Sequence, residues 1–303
     1  MSVALLLFPD FALILIGAVI YRLGRLDDGF WSGLERLVYF VFFPSLLFYS
    51  TATAQLDLGK TAPMLAVGLG AFAAGVVLGN LAQPVLGARS GERALLFASG
   101  VQTSFRFNSY IALAIAGRLG GAGSDGIALM ALLLGVHVPL SNAAAVYALA
   151  RHAKSGVLRG MLRNPLLIAT IGGLAFNFAG LHLPDFIAAT LARMGSASIA
   201  LGLMTVGAGL RLSGAAKAKD MIAWWLAVKL LVIPAIAWIL AMHFDLPPLQ
   251  RQIVVMFAGL PTASSAYILA TRMGGNGPIV AFLISVGTLI SIVTLPLWLL
   301  IAG

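Results

Sequence analysis

Cysteine is absent from all 303 residues. That excludes disulfides, thiolate catalysis and cysteine-ligated metal, and leaves the redox compartment open. Charge is scarce as well: 10% of the residues are Asp, Glu, Lys or Arg and 60% are hydrophobic, whereas a soluble domain carries about 25% charge. Acids are rarer still, ten against nineteen Lys and Arg, for a net charge of +9. The basic excess is no nucleic-acid patch, because the cations stand singly at the ends of apolar segments. An anionic membrane surface accounts for them. Enzyme signatures are missing too: there is no HExxH, no GxSxG, no phosphate-binding P-loop and no intramembrane aspartate pair. Those absences weigh against an intramembrane hydrolase and an ATP-driven pump.

What is present is one long apolar run after another. A hydrocarbon core of about 30 Å takes roughly 20 apolar residues per helix. Cut at its charged and Gly/Pro-rich seams, the chain yields ten spans, at 3–21, 34–54, 61–84, 93–118, 125–150, 164–182, 188–211, 220–243, 249–272 and 278–301. The N-terminal run lacks a basic leader and is long enough to cross, so it reads as the first span and not as a cleaved signal. The expected fold class is therefore all-α integral membrane.

Orientation follows from the short loops. The odd-numbered connections carry Arg22, Arg25 and Arg36; Arg89 and Arg93; Arg151, Lys154, Arg159 and Arg163; Arg211, Lys217 and Lys219; and Arg272. The even ones carry only Lys60, Arg118, Arg193 and Arg251. Both termini are thus expected outside, on the periplasmic face of a bacterial inner membrane. Arg106 and Lys229 remain, and both lie within spans.

The two halves of the chain echo each other. RLGG at 118–121 closes the fourth span and RMGG at 272–275 closes the ninth, while YIALAIAG from Tyr110 resembles YILAT from Tyr267. Matches this short also arise by chance in so apolar a sequence. A true repeat of five spans has odd parity, so its second copy is inverted in the membrane, the architecture of secondary transporters with discontinuous helices at the midplane. The expected division is 1–154 and 155–303.

Arg106 sits in TSFRFNSY, 103–110, about 20 Å along the fourth span. An arginine at that depth costs about 2.5–3.5 kcal/mol to insert and is too deep to snorkel easily. No Asp or Glu shares its span. Either it holds a carboxylate-bearing solute through its planar fork, with Asn108 beside it, or it bonds the carbonyls of an unwound stretch. The ninth span reads AGLPTASSAY, 258–267, where Pro261 removes a backbone donor and Thr262, Ser264 and Ser265 offer hydroxyls. That pattern is either a true break or a packed kink. Two broken helices crossing near the midplane would aim positive helix ends at an anion.

Three further polar residues have two readings each. His137 is a proton carrier or a core histidine bonded to a carbonyl. Asp10 carries a coupling proton or ion, or caps the first helix. Lys229, after the aromatic pair Trp224 and Trp225 expected at the membrane interface, snorkels or faces the transport path. GVVLG at 75–79 is a close-packing signature and no more.

Five segments together resemble the auxin efflux carrier family, which includes the plant PIN carriers and bacterial permeases often described as malonate or dicarboxylate transporters. They are VFFPSLLF in span two, FRFNSYIALAIA in span four, LRNPLLIATIGGLAFN in span six, LGLMTVGAGL in span seven and GLPTASSAYILA in span nine. The resemblance covers the whole chain. It implies ten transmembrane helices in two inverted five-helix repeats, similar to bile-acid symporters and sodium/proton antiporters. Helices one, two, six and seven would form a scaffold and helices three to five and eight to ten a transport domain, with helices four and nine broken and crossing.

Carried over residue by residue, the resemblance places the substrate at Arg106, Phe107 and Asn108 and at Pro261 through Ser265, with Ser45 on the scaffold wall. It implies elevator-like movement and a homodimer. This chain lacks the proline many relatives carry at the first crossing, so Asn108 and its polar neighbours must supply the break, and it has Ser265 where relatives often show asparagine. The reading is a secondary transporter of a small organic anion, a carboxylate, with no enzyme activity, cofactor, metal or nucleic-acid partner. The alternatives are a sodium- or proton-coupled carrier sharing the fold, a membrane solute sensor and, less favoured, a channel.

Overall fold

A computed structural model of the chain describes residues 3–24, 26–53, 58–87, 91–119, 125–150, 165–210, 218–263 and 265–303. Every regular element among them is helical. Five helices, Gly59–Val85, Asp125–Leu149, Asp185–Ala208, Lys219–His243 and Gly277–Ala302, are long and apolar enough to cross a membrane. They coincide with the third, fifth, seventh, eighth and tenth predicted spans.

The chain divides into two compact units. The first comprises Met1–Ala62, Ser109–Val138 and Leu158–Gly209. Its helices are α1 (Val3–Arg22), α2 (Asp28–Leu37), α3 (Phe43–Thr53), α6 (Ser109–Leu119), the first half of α7 (Asp125–Ala150), α8 (Pro165–Phe178) and α9 (Asp185–Ala208). Asp27 caps α2 by accepting the Phe30 N–H at 2.7 Å. A π turn, Val38–Phe42, joins α2 to α3 just ahead of Pro44, so that one continuous rod covers span two.

Small residues bring these helices together. A Cβ on Gly17 of α1 would meet the Met204 carbonyl oxygen of α9 at 2.0 Å, and one on Gly207 of α9 would meet the Ile14 carbonyl oxygen of α1 at 1.8 Å. Between α3 and α8, a Cβ on Gly173 would stand 2.0 Å from the Thr51 hydroxyl. Such backbone approach is how helices pack where lipid removes the hydrophobic drive between them.

The second unit comprises Pro63–Asn108, Pro139–Val157 and Leu210–Gly303. It holds most of α4 (Leu58–Val85), α5 (Gly91–Gly100), a 3-10 turn (Val101–Ser104), the second half of α7, α10 (Lys219–Ala227), α11 (Ile233–His243), α12 (Pro248–Gly259), α13 (Ser265–Arg272) and α14 (Gly277–Ala302). Trp225 anchors its core and is fully buried among Phe97, Val101, Phe105 and Ile284. The indole N–H of Trp225 donates to the Gly79 carbonyl at 3.2 Å and that of Trp224 to the Leu78 carbonyl at 2.8 Å. Trp225 is therefore a core residue and not half of an interfacial pair, because its N–H finds a carbonyl inside the protein.

A second π turn, Val228–Val232, joins α10 to α11 ahead of Pro234. Proline has no N–H to give the carbonyl four residues earlier, that of Leu230. The Trp298 indole N–H of α14 donates to it instead, at 2.9 Å. At the end of α13, Gly274 adopts φ 72° and the Gly275 N–H returns to the Ala270 carbonyl at 2.8 Å. The RMGG signature is thus a left-handed glycine cap.

Candidate functional site

The fourth and ninth spans are both broken, and within the second unit the breaks meet. In the fourth, α5 ends at Gly100, tightens into the 3-10 turn and leaves residues 105–108 without helix. The Thr103 and Ser104 hydroxyls drive the tightening: each donates to the carbonyl three residues back, Gly100 and Val101, at 2.7 Å. No proline is required. In the ninth, α12 stops at Gly259 and α13 starts at Ser265, because Pro261 cannot continue the ladder and holds its predecessor Leu260 extended at φ −60°, ψ 139°.

Each break satisfies the other's backbone. The Asn108 N–H donates to the Pro261 carbonyl at 2.8 Å, and the Thr262 hydroxyl donates to the Thr103 carbonyl at 2.9 Å. The Gln102 amide adds bonds to the Ser99 carbonyl at 3.1 Å and to the Ala266 carbonyl at 3.3 Å. Gln102, Asn108 and Thr262 are all buried. Buried backbone groups outside a helix must find such partners, so the crossing is a tied knot and not a loose kink. In the sequence Gln102 is one of the polar neighbours of Arg106 that offer hydrogen bonds. Its signal was its polarity in an apolar run, since a fully buried amide needs partners.

Arg106 is 6% exposed and its Nη2 donates to the Ser265 hydroxyl at 3.0 Å. Ser265 itself is exposed, at the first position of α13. A guanidinium from one break therefore lies at the N-terminus of the half-helix that follows the other break. Phe107 turns elsewhere: its ring packs on Phe257 with centroids 4.7 Å apart and, with Phe105, Ala71, Phe72, Ile233, Ala258 and Lys229, lines a small cavity.

α4 braces the crossing from behind. The Ser104 hydroxyl also lies 3.1 Å from the Gly75 carbonyl, and a Cβ on Gly79 would stand 2.0 Å from that hydroxyl. The GVVLG segment is thus the bed on which the 3-10 turn lies, as its spacing of glycines anticipated.

The remaining candidates belong to the first unit or fall outside the described residues. Ser45 belongs to the first unit, where its hydroxyl donates to the Val41 carbonyl at 2.8 Å. His137, fully buried in the first unit, bonds the Leu133 carbonyl through Nδ1 at 2.7 Å. A carbonyl only accepts, so Nδ1 carries the proton. Ser264 and the Asp10 side chain lie outside what the structure describes.

Residues 148–299 match the family model described as membrane transport protein. An uncharacterized transporter of Methanothermobacter thermautotrophicus is 24% identical over 299 residues, covering 94% of each chain. An uncharacterized transporter of Methanocaldococcus jannaschii is 26% identical over 149 residues, 47% of each chain.

Proposed function

The chain belongs to the membrane transport protein family, the family the five sequence segments resemble, and we propose that it is a secondary transporter of small organic anions, with Arg106 as the principal anion contact. The observation that carries this reading is the Arg106 to Ser265 bond: a buried guanidinium beside the N-terminus of a half-helix at a tied crossing. Helix N-termini and arginine forks both favour carboxylate. A solute carboxylate replacing or joining the Ser265 hydroxyl gives the guanidinium an anionic, bidentate acceptor where the protein supplies a neutral one.

Ten transmembrane helices in two inverted five-helix repeats complete the proposed architecture, embedded in a bacterial inner membrane with both termini periplasmic. The helices of spans one, two, six and seven, the proposed scaffold, all fall in the first unit, together with α6 and the first half of α7 from spans four and five. The second unit holds the crossing and is the candidate moving body of an elevator-type carrier working as a homodimer. With an interior-negative potential, an anion leaves the cell downhill, gaining about 2.3 kcal/mol per charge per 100 mV. Uptake requires coupling to protons or sodium.

Thermal unfolding of the purified protein across a panel of mono- and dicarboxylates, in wild type and Arg106→Gln, tests the reading. A ligand at 100 times its Kd stabilises by about 2.7 kcal/mol. A shift with one carboxylate that vanishes in the variant is the expected result. Equal shifts in both proteins, or none with any carboxylate, would make Arg106 structural.

A further inference from the structure

Lys229 lies on the π turn Val228–Val232, about 15 Å into the helix that begins at Lys219. It is 5% exposed, and its ammonium donates to the Ala258 carbonyl at 2.9 Å. Ala258 is the penultimate residue of α12. Its carbonyl is one of those that a helix C-terminus leaves without an intrahelical donor, since the chain beyond Gly259 is unwound. The last turn of α12 also carries the negative pole of that half-helix.

Lys229 also lines a small cavity of about 10 Å³, whose other lining residues are Ala71 and Phe72 of α4, Phe105 and Phe107 of the broken segment, Ile233 of α11, and Phe257 with Ala258 of α12. No carboxylate, histidine or second cation is among these lining groups. Phe105 and Phe107 line this cavity together with Lys229, while Arg106 between them bonds Ser265. One break is thus flanked by two buried cations, one at the start of α13 and the other at the end of α12.

Where discontinuous helices meet in secondary transporters, C-terminal carbonyls of half-helices hold a coupling cation. We propose that the Lys229 ammonium is the resident cation of this crossing: a positioning residue that fixes the C-terminal pole of α12 and stands in place of a free coupling cation. Tethered to α10 and α11, it cannot be released on either side of the membrane. The protein then keeps the crossing assembled without bound sodium. The consequence for flux rests on the transport reading; the site itself is tested without it.

The test is thermal unfolding of the full chain in sodium and in choline chloride, for wild type, Lys229→Met and Lys229→Ala. Wild type unfolds at the same temperature in both salts. Lys229→Met, which keeps the length and loses the charge, unfolds lower by about 4 °C or more. Lys229→Ala is destabilised too, and n-propylammonium restores part of the loss while 1-propanol does not. Stabilisation of wild type by sodium over choline would overturn the proposal, as would Lys229→Met matching wild type or equal rescue by propanol. Where neither variant folds, the wild-type comparison of salts decides.

Carboxylate flux in liposomes containing the wild-type protein provides a second readout, expected to persist when sodium is replaced by choline. Flux that requires sodium overturns the proposal. An absence of flux in both salts bears on the transport reading instead, and the unfolding measurements still decide the role of Lys229.

Discussion

The Asn108 N–H and the Pro261 carbonyl are 2.8 Å apart across a sequence separation of 153 residues. Two helices that each fail to complete their own ladder complete one another's. The cost of breaking a helix in an apolar medium is thereby offset at one place, and that place is where Arg106 emerges.

Thr262→Val removes the hydroxyl that donates to the Thr103 carbonyl while keeping side-chain volume. The carbonyl left behind is buried, so the variant should lose about 1–3 kcal/mol. Chemical denaturation in detergent measures this. Thr53→Val, whose lost bond lies within its own helix at an exposed residue, should stay within about 0.5 kcal/mol of wild type.

Gly79→Ala places a Cβ 2.0 Å from the Ser104 hydroxyl and 2.9 Å from its Cβ. Either α4 or the 3-10 turn must shift, at a cost of about 1–3 kcal/mol. Gly33→Ala is the control: it is helical, with nothing within 4 Å of the added atom, and should be neutral or gain up to about 1 kcal/mol from helix propensity. A smaller loss at Gly79 than at Gly33 would contradict the packing.

Arg106→Lys keeps a positive charge and loses the planar fork. If the anion is held in bidentate fashion, carboxylate affinity should fall about 10- to 100-fold, the worth of a charge-assisted bond. Isothermal titration with the best-stabilising carboxylate reads this directly. Unchanged affinity in Arg106→Lys would mean that a point charge suffices.

His137 donates its Nδ1 proton to the Leu133 carbonyl one turn earlier on its own helix. A residue so engaged is expected to serve packing and not proton movement. His137→Gln should therefore leave the pH profile of carboxylate flux unchanged in shape, whatever it does to stability. A profile that loses its pH dependence in the variant would instead assign His137 to coupling.

Membrane character, all-helical class and the two interrupted spans were legible because each depends on local composition. Apolar length marks a helix in lipid, and Pro261 or a run such as TSFRFNS marks where a ladder can fail, the choice between break and kink being left to the fold. Gly75 and Gly79 announced a close approach by their spacing alone. The place of that approach, under Ser104, was not readable.

Trp224 and Trp225 show the limit from the other side. Beside a charged seam they read as interfacial, and only the packed unit reveals that both indoles bond carbonyls of α4 and that Trp225 is core. Local sequence gives a side chain's chemistry; the neighbour that satisfies it is set by helices distant in the chain.

Read alone, the sequence shows which segments are apolar helices, where two of them could break, and that Arg106 and Lys229 are cations inside apolar spans. Those properties follow from residue type and periodicity. The tertiary structure decided that the two breaks pair through Asn108 and Pro261, that Arg106 faces Ser265 and that Lys229 faces Ala258. Such pairings are non-local, because a buried donor takes whichever acceptor the packing of separate helices brings within about 3 Å.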